Sequence, residues 1–283
     1  IRCGGTPDIE FAANGLLARS LLASGQSEDA RKTITDLRRQ FAERELTRFL
    51  SNMDAMLCRI ALHTGDLDEA DAWYRAKAPR EPTHINILKR YQYFTQAMVE
   101  LANGKPDSAL LTLTPMEPYC TACMRYIDTV HLKVLAAVAL YRKKDEGWRE
   151  ALTTALELAE EYRFIRTISV YGAAVLPLLD TLEWPGNGKW HKRLMADVRA
   201  QAAMYPRFLQ PRLAMSDALT AAEMQVLRLI CADKSNAEIG EILGIRLSTV
   251  KTHVSSVLSK LGVNRRSEAR TAAKKLWLIS EDQ

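Results

Sequence analysis

Leu62-His-Thr-Gly65-Asp-Leu-Asp-Glu-Ala70 reads as the joint between two helices, and its recurrence decides the architecture of most of the chain. Glycine ends one helix where a left-handed residue is needed, and the acidic residues suit the positive start of the next. Ala70 is small enough for the two helices to meet closely. The same Gly-x4-Ala spacing recurs at Gly25 to Ala30 and Gly104 to Ala109, with periods of 40 and 39 residues and apolar helical patterns on both sides. In the last of these, Pro106 stands near the first helical position, where its missing N–H costs nothing. A fourth copy is degenerate: Tyr141-Arg-Lys-Lys-Asp145-Glu-Gly147 leads to Ala151, 42 residues beyond Ala109, with the glycine slipped by one position.

The pattern therefore predicts an all-α chain of stacked helical hairpins over roughly residues 8–160. A final hairpin, from Arg166–Thr181 and Trp190–Tyr205, turns at Trp184-Pro-Gly-Asn-Gly188. The expectation is a right-handed solenoid of about ten helices, whose concave surface suits a peptide, a protein or a small effector. Tyr91, Tyr93, Phe94, Tyr119 and Tyr126 cluster in sequence as candidate effector-binding residues, although aromatics more often pack helices together. Pro206-Arg-Phe-Leu-Gln-Pro211 then breaks the pattern. This divides the chain into a repeat domain (1–205), a linker (206–218) and a C-terminal domain (219–283).

The 283 residues, 47% apolar and 26% charged, suit two folded domains rather than a disordered chain. No apolar run is long enough to span a membrane, and no basic segment leads into an apolar one at the start, so the default expectation is a cytoplasmic protein with no membrane partner. The start at Ile1 without methionine suggests a piece of something longer. Five scattered cysteines argue against a disulfide framework. The Cys120-Thr-Ala-Cys123 pair lacks a second half at finger spacing, so no metal is expected. Neither a nucleophile–base pair nor a carboxylate dyad stands out, and Gly186-Asn-Gly-Lys-Trp190 does not match a phosphate loop. We expect no enzyme and no cofactor. A phospho-receiver pattern is missing as well.

Charge is sorted along the chain. Residues 1–215 carry 29 basic and 26 acidic side chains, whereas Arg246 to Lys275 holds eight Lys/Arg against Glu268 alone. That footprint suits nucleic acid. Thr220-x-x-Glu223 and Ser235-x-x-Glu238 are capping boxes that fix two helix starts, near 221 and 236, with the second helix ending at Gly244. A third helix runs from about Ser248 to Leu261, closed by Gly262. Within it, Val250, Val254, Val257, Leu258 and Leu261 recur at helical spacing and face a small core. Ser248, Lys251, Thr252, Ser255 and Ser259 lie opposite, small and polar enough to enter a major groove. His253, Ser256 and Lys260 flank that face within reach of phosphates, as do Ser235 and Asn236 at the preceding helix start.

Leu219-Thr-Ala-Ala-Glu223-Met-Gln-Val-Leu227, Ser235-Asn-Ala-Glu-Ile239, Thr249-Val-Lys251-Thr-His253 and Lys260-Leu-Gly-Val263 together resemble the LuxR/GerE family signature. The resemblance implies a four-helix helix-turn-helix domain that binds double-stranded DNA as a homodimer. It places Lys251, Thr252 and Ser255 at the base-reading positions, and Thr249 and Arg266 among the backbone contacts. Arg246 stands where the family often has Ser or Thr, Gly240 replaces a usual alanine, and Trp277 replaces a usual glycine. The Gly-x4-Ala turn is similar to that of tetratricopeptide repeats, and the period of about 40 resembles the longer repeats of the MalT-like regulators. The combination implies a sequence-specific transcriptional regulator whose TPR-like superhelix senses an effector or partner protein. The alternative is a protein-binding scaffold to which the helix-turn-helix is accessory.

Overall fold

A computed structural model describes residues 6–79, 86, 89–211, 219–261, 263 and 265–275, the side chains of 274 and 275 apart. Gly262, Trp277 and linker residues 212–218 lie outside the described residues. Among those described, regular structure is helical, with no strand. The chain divides into two compact units, one ending at Pro211 and one beginning at Arg212.

In the first unit, helices alternate in hairpins: α1 (Pro7–Ala23) with α2 (Ser27–Glu43), α3 (Leu50–Thr64) with α4 (Leu67–Lys77), and α5 (Arg90–Ala102) with α6 (Pro106–Leu113). A short α7 (Glu117–Ala122) precedes α8 (Tyr126–Arg142), which pairs with α9 (Trp148–Glu161). The final hairpin is α10 (Arg166–Ser169) and α11 (Gly172–Thr181) against α12 (Gly188–Met204), so the helix expected over 166–181 is interrupted. At the break, a Cβ on Gly172 would lie 2.9 Å from the Ala202 amide nitrogen; the residue that restarts α11 is also what lets it approach α12.

The three repeat glycines behave as the spacing predicts: Gly25, Gly65 and Gly104 all have left-handed backbones (φ +83°, +79° and +68°), and Ala30, Ala70 and Ala109 are fully buried behind them. The fourth turn departs from expectation. Lys144, not Gly147, takes the left-handed conformation (φ +59°), immediately after the end of α8. The Lys144 N–H reaches the Tyr141 carbonyl at 3.0 Å and that of Asp145 reaches Leu140 at 3.0 Å. The turn therefore needs no glycine, and three residues, 145–147, separate its left-handed residue from α9 where the glycine turns have one, an insertion of two.

One continuous apolar core runs from α3 to the segment after α12, and a smaller one, around Ile34, Phe41 and Met53, ties α1, α2 and α3. The last hairpin also reaches back to the first helix. Gln201 Nε2 donates to the Ala23 carbonyl (3.0 Å), and the Tyr205 hydroxyl donates to the Leu22 carbonyl (2.7 Å).

Residues 206–211, expected as linker, belong to this first unit. Phe208 and Leu209 are buried. The Phe208 ring stacks on His63 with centroids 3.9 Å apart, Arg142 donates to the Leu209 carbonyl, and Gln210 Nε2 donates to the Ala173 carbonyl. The two prolines do stop the helix; the aromatic and leucine between them then find apolar surface without any helical period. Truncation after Pro211 should leave the melting of the repeat unit unchanged, whereas truncation after Tyr205 should cost roughly 3–6 kcal/mol, the burial of two large side chains, in urea unfolding.

Candidate nucleic-acid interface

The second unit contains α13 (Ala221–Cys231), α14 (Asn236–Leu243), α15 (Leu247–Lys260) and α16 (Arg266–Lys275). Both capping boxes form. The Glu223 N–H donates to Thr220 Oγ1 (3.2 Å) while Glu223 Oε2 accepts from the Thr220 N–H (2.6 Å). The Glu238 N–H donates to Ser235 Oγ (3.3 Å) while Glu238 Oε2 accepts from the Ser235 N–H (2.8 Å). Gly244 closes α14 with a left-handed backbone (φ +65°). Val250, Val254, Val257 and Leu261 are buried with Val226, Leu227 and Ile239, and Leu258 packs half-buried against them. Ile242 remains exposed.

With the valines inward, Ser248, Lys251, Thr252, Ser255 and Ser259 are exposed along the opposite side of α15. Thr252 Oγ1 donates to the Ser248 carbonyl at 3.1 Å, so its outward chemistry is a methyl group and an acceptor lone pair. Thr249 and Ser235 are exposed, and His253 and Asn236 half-buried. Arg266 is half-buried too, donating to Asn236 Oδ1 (2.9 Å) and to the Lys234 carbonyl. It therefore pins α16 to the first turn of α14.

Two residues expected at phosphates are used differently. Ser256 Oγ donates to Glu223 Oε1 (2.5 Å), and Lys260 Nζ donates to Glu223 Oε2 (2.8 Å). The Glu223 side chain is buried, and its carboxyl is drawn down from an ordinary 4.5 to about 2, chiefly by the hydrogen bond from Lys260 and then by that from Ser256. A buried carboxylate needs such charge-assisted partners, and Ser256 and Lys260 thereby clamp α15 onto the start of α13. The sequence shows Glu223 only as a cap, because its partners lie 33 and 37 residues away.

The family departures also have local readings. A Cβ on Gly240 would sit 3.0 Å from the Ile245 carbonyl oxygen, so alanine would crowd the turn. Arg246 is the N-cap of α15 and makes no side-chain cap bond.

The expected effector aromatics separate. Tyr91 and Phe94 line a cavity in the repeat unit, while Tyr93, Tyr119 and Tyr126 do not. Tyr93 is buried in the core, and Tyr126 stacks on Tyr162 with centroids 4.5 Å apart. No helix among the described residues is long and apolar enough to cross a membrane.

Lys260→Ala should lower the stability of the second unit by about 1.5–3 kcal/mol in urea unfolding while leaving the salt slope of DNA binding near wild type. Because the Glu223 pKa is depressed on folding, its contribution is complete above about pH 4.5 and is lost as pH falls towards 2. Glu223→Gln should remove that acid limb from the stability profile. Arg246→Ser, which supplies the missing cap, should add about 0.5–1 kcal/mol to thermal stability.

Residues 2–184 match the family described as the MalT-like TPR region, and residues 217–273 match the luxR family of bacterial regulatory proteins. The chain is 26% identical to the HTH-type transcriptional regulator MalT of Cronobacter sakazakii and 25% identical to that of Klebsiella pneumoniae, each over 95% of its length. It is 24% identical to that of Vibrio campbellii over 96%. It spans 32% of the length of each of these relatives. No solved structure matches it. The first family match covers well over half of the sequence: the chain belongs to the family of the MalT-like TPR region and carries a luxR-family domain at its C-terminal end.

Proposed function

We propose that this chain is the sensing and DNA-binding portion of a sequence-specific transcriptional regulator. The observation that carries the reading is the two-sidedness of α15: valines fill the core of a small domain, and a small polar face with one lysine stands exposed opposite. A helix of this kind enters a major groove without steric block. Lys251, Thr252 and Ser255 read base edges. Ser235, Asn236, Thr249, His253 and Arg266 meet the phosphates, with Arg266 holding the Asn236 side chain at the first turn of α14, where backbone N–H groups attract an anion. The relatives named as HTH-type transcriptional regulators support the same role. The domain acts as a homodimer, as the family resemblance implies. The repeat unit binds an effector or partner protein that alters this assembly, and no catalytic step is assigned to the chain.

Selection of bound duplexes from a random pool by the second unit should enrich a recurrent motif with two-fold symmetry. Lys251→Ala should cost about 1–3 kcal/mol on that motif and relax its sequence preference. Failure to enrich any motif, together with tight protein binding by the repeat unit alone, would move the function to the scaffold reading. Calorimetry of the repeat unit against metabolites and proteins tests sensing directly, and silence across the whole set counts against it.

A further inference from the structure

The cavity that Tyr91 and Phe94 line holds about 310 Å3 and lies between α1, α3, α5, α8 and the segment after α12. This is the small end of the range of about 300–1,000 Å3 for ligand pockets, and suits a single-ring molecule rather than an oligomer. Its walls are mostly apolar, with four aromatic rings: Tyr91, Phe94, Tyr171 and Phe208.

The charges on the wall do not balance. Of the groups that line it, Arg90 is paired with Asp128 at 3.4 Å, and Asp128 also accepts from Arg125. Arg59 is held by neutral partners: Nε donates to Thr95 Oγ1 (2.7 Å), Nη2 donates to the Tyr91 carbonyl (2.9 Å), and its guanidinium carbon lies 3.6 Å from the Tyr91 ring centroid. Among the described residues, neither Arg59 nor Arg19 has a carboxylate partner. Two histidines on the wall add no charge at neutral pH. Burial lowers His63 to about 4, against the hydrogen bond to the Arg59 carbonyl, and burial together with the charges of Arg59 and Arg19 lowers His131 to about 3. His63 Nδ1 is bonded to the Arg59 carbonyl (2.7 Å) and His131 Nδ1 to the Tyr171 hydroxyl (2.8 Å). A half-buried guanidinium without a counter-ion is costly to maintain, and it is fixed in place by its own hydrogen bonds before any ligand arrives.

We propose that this cavity binds a small aromatic carboxylate, with the acid on the Arg59 and Arg19 guanidinium groups and the ring against the aromatic wall. Planar guanidinium groups bind carboxylates with directed, charge-assisted hydrogen bonds, which are stronger away from bulk water. The ligand also touches the output of the unit. Phe208 is part of the wall, and its segment leads along the chain towards the DNA-binding unit. A ligand that prefers one placement of Phe208 shifts the population of that segment. This inference rests on the effector-sensing reading above and assigns it a ligand class.

The test uses the whole 283-residue chain with benzoate, 4-hydroxybenzoate and phenylacetate, each paired with its neutral amide, in calorimetry. The acids should bind at least tenfold more tightly than the amides. Arg19→Gln, at an exposed position on α1 where folding is not at stake, should weaken the acids at least tenfold and leave the amides unchanged. Acid binding should also change hydrogen exchange at the amides of residues 207–210. Equal affinity for acid and amide, or no binding by any of the three acids, overturns the proposal. If a neutral metabolite binds the repeat unit while the acids do not, the sensing reading stands and the ligand assignment falls. Acid binding with unaltered exchange at 207–210 overturns the coupling through Phe208.

Discussion

The repeat unit depends on how each helix is allowed to end. After α1, α2, α5, α7, α8 and α9, one residue turns left-handed and two N–H groups close back on the last turn, in the same paired pattern. Gly25 and Gly104 adopt that conformation without penalty. Glu45, Met124, Lys144 and Arg163 adopt it too, at a cost of about 1 kcal/mol or more each. The helices on either side of these turns are buried along one face, and their packing holds the unfavourable residue in place. Hairpin geometry is thus set by hydrogen bonding at the turn and made affordable by the core, and every larger feature, the cavity included, inherits it.

Where the turn residue is glycine, the sequence announces the turn; where it is lysine or arginine, local preference points elsewhere and only packing reveals it. That is why three repeats were legible and the Lys144 turn was placed at Gly147. The helix starts at 221 and 236 were legible because a capping box is a local device, complete within four residues. The valine face of α15 was legible because burial on a helix has a period. Phe208 and Leu209 escaped detection for the converse reason: two side chains between prolines carry no period, and their burial depends on α3, α8 and α11, far away in the chain. The aromatic cluster divided because neighbours in sequence fall on different faces of α5, α7 and α8.

Counting charges overstates what α15 offers to DNA. Lys260 belongs to the basic run but spends its ammonium on Glu223, and Arg266 spends one donor on Asn236, at the start of α14, and another on the Lys234 carbonyl just before it. Basic residues of the second unit thus include ones that face outward and ones that hold its helices together. Glu223 combines both architectural tasks of the domain in one carboxylate, capping α13 while anchoring α15, and any perturbation of it acts on the two helices together.

The bonds from Gln201 and Tyr205 to the end of α1 change how the repeat unit can come apart. An open stack of hairpins touches only its neighbours, so it frays one repeat at a time from either terminus. Here Gln201 and Tyr205 tie the end of the last hairpin to the first helix, so fraying at either terminus must also break bonds to the other. The stack behaves as a closed belt rather than a row of tiles, so local loosening at one buckle is felt all the way round.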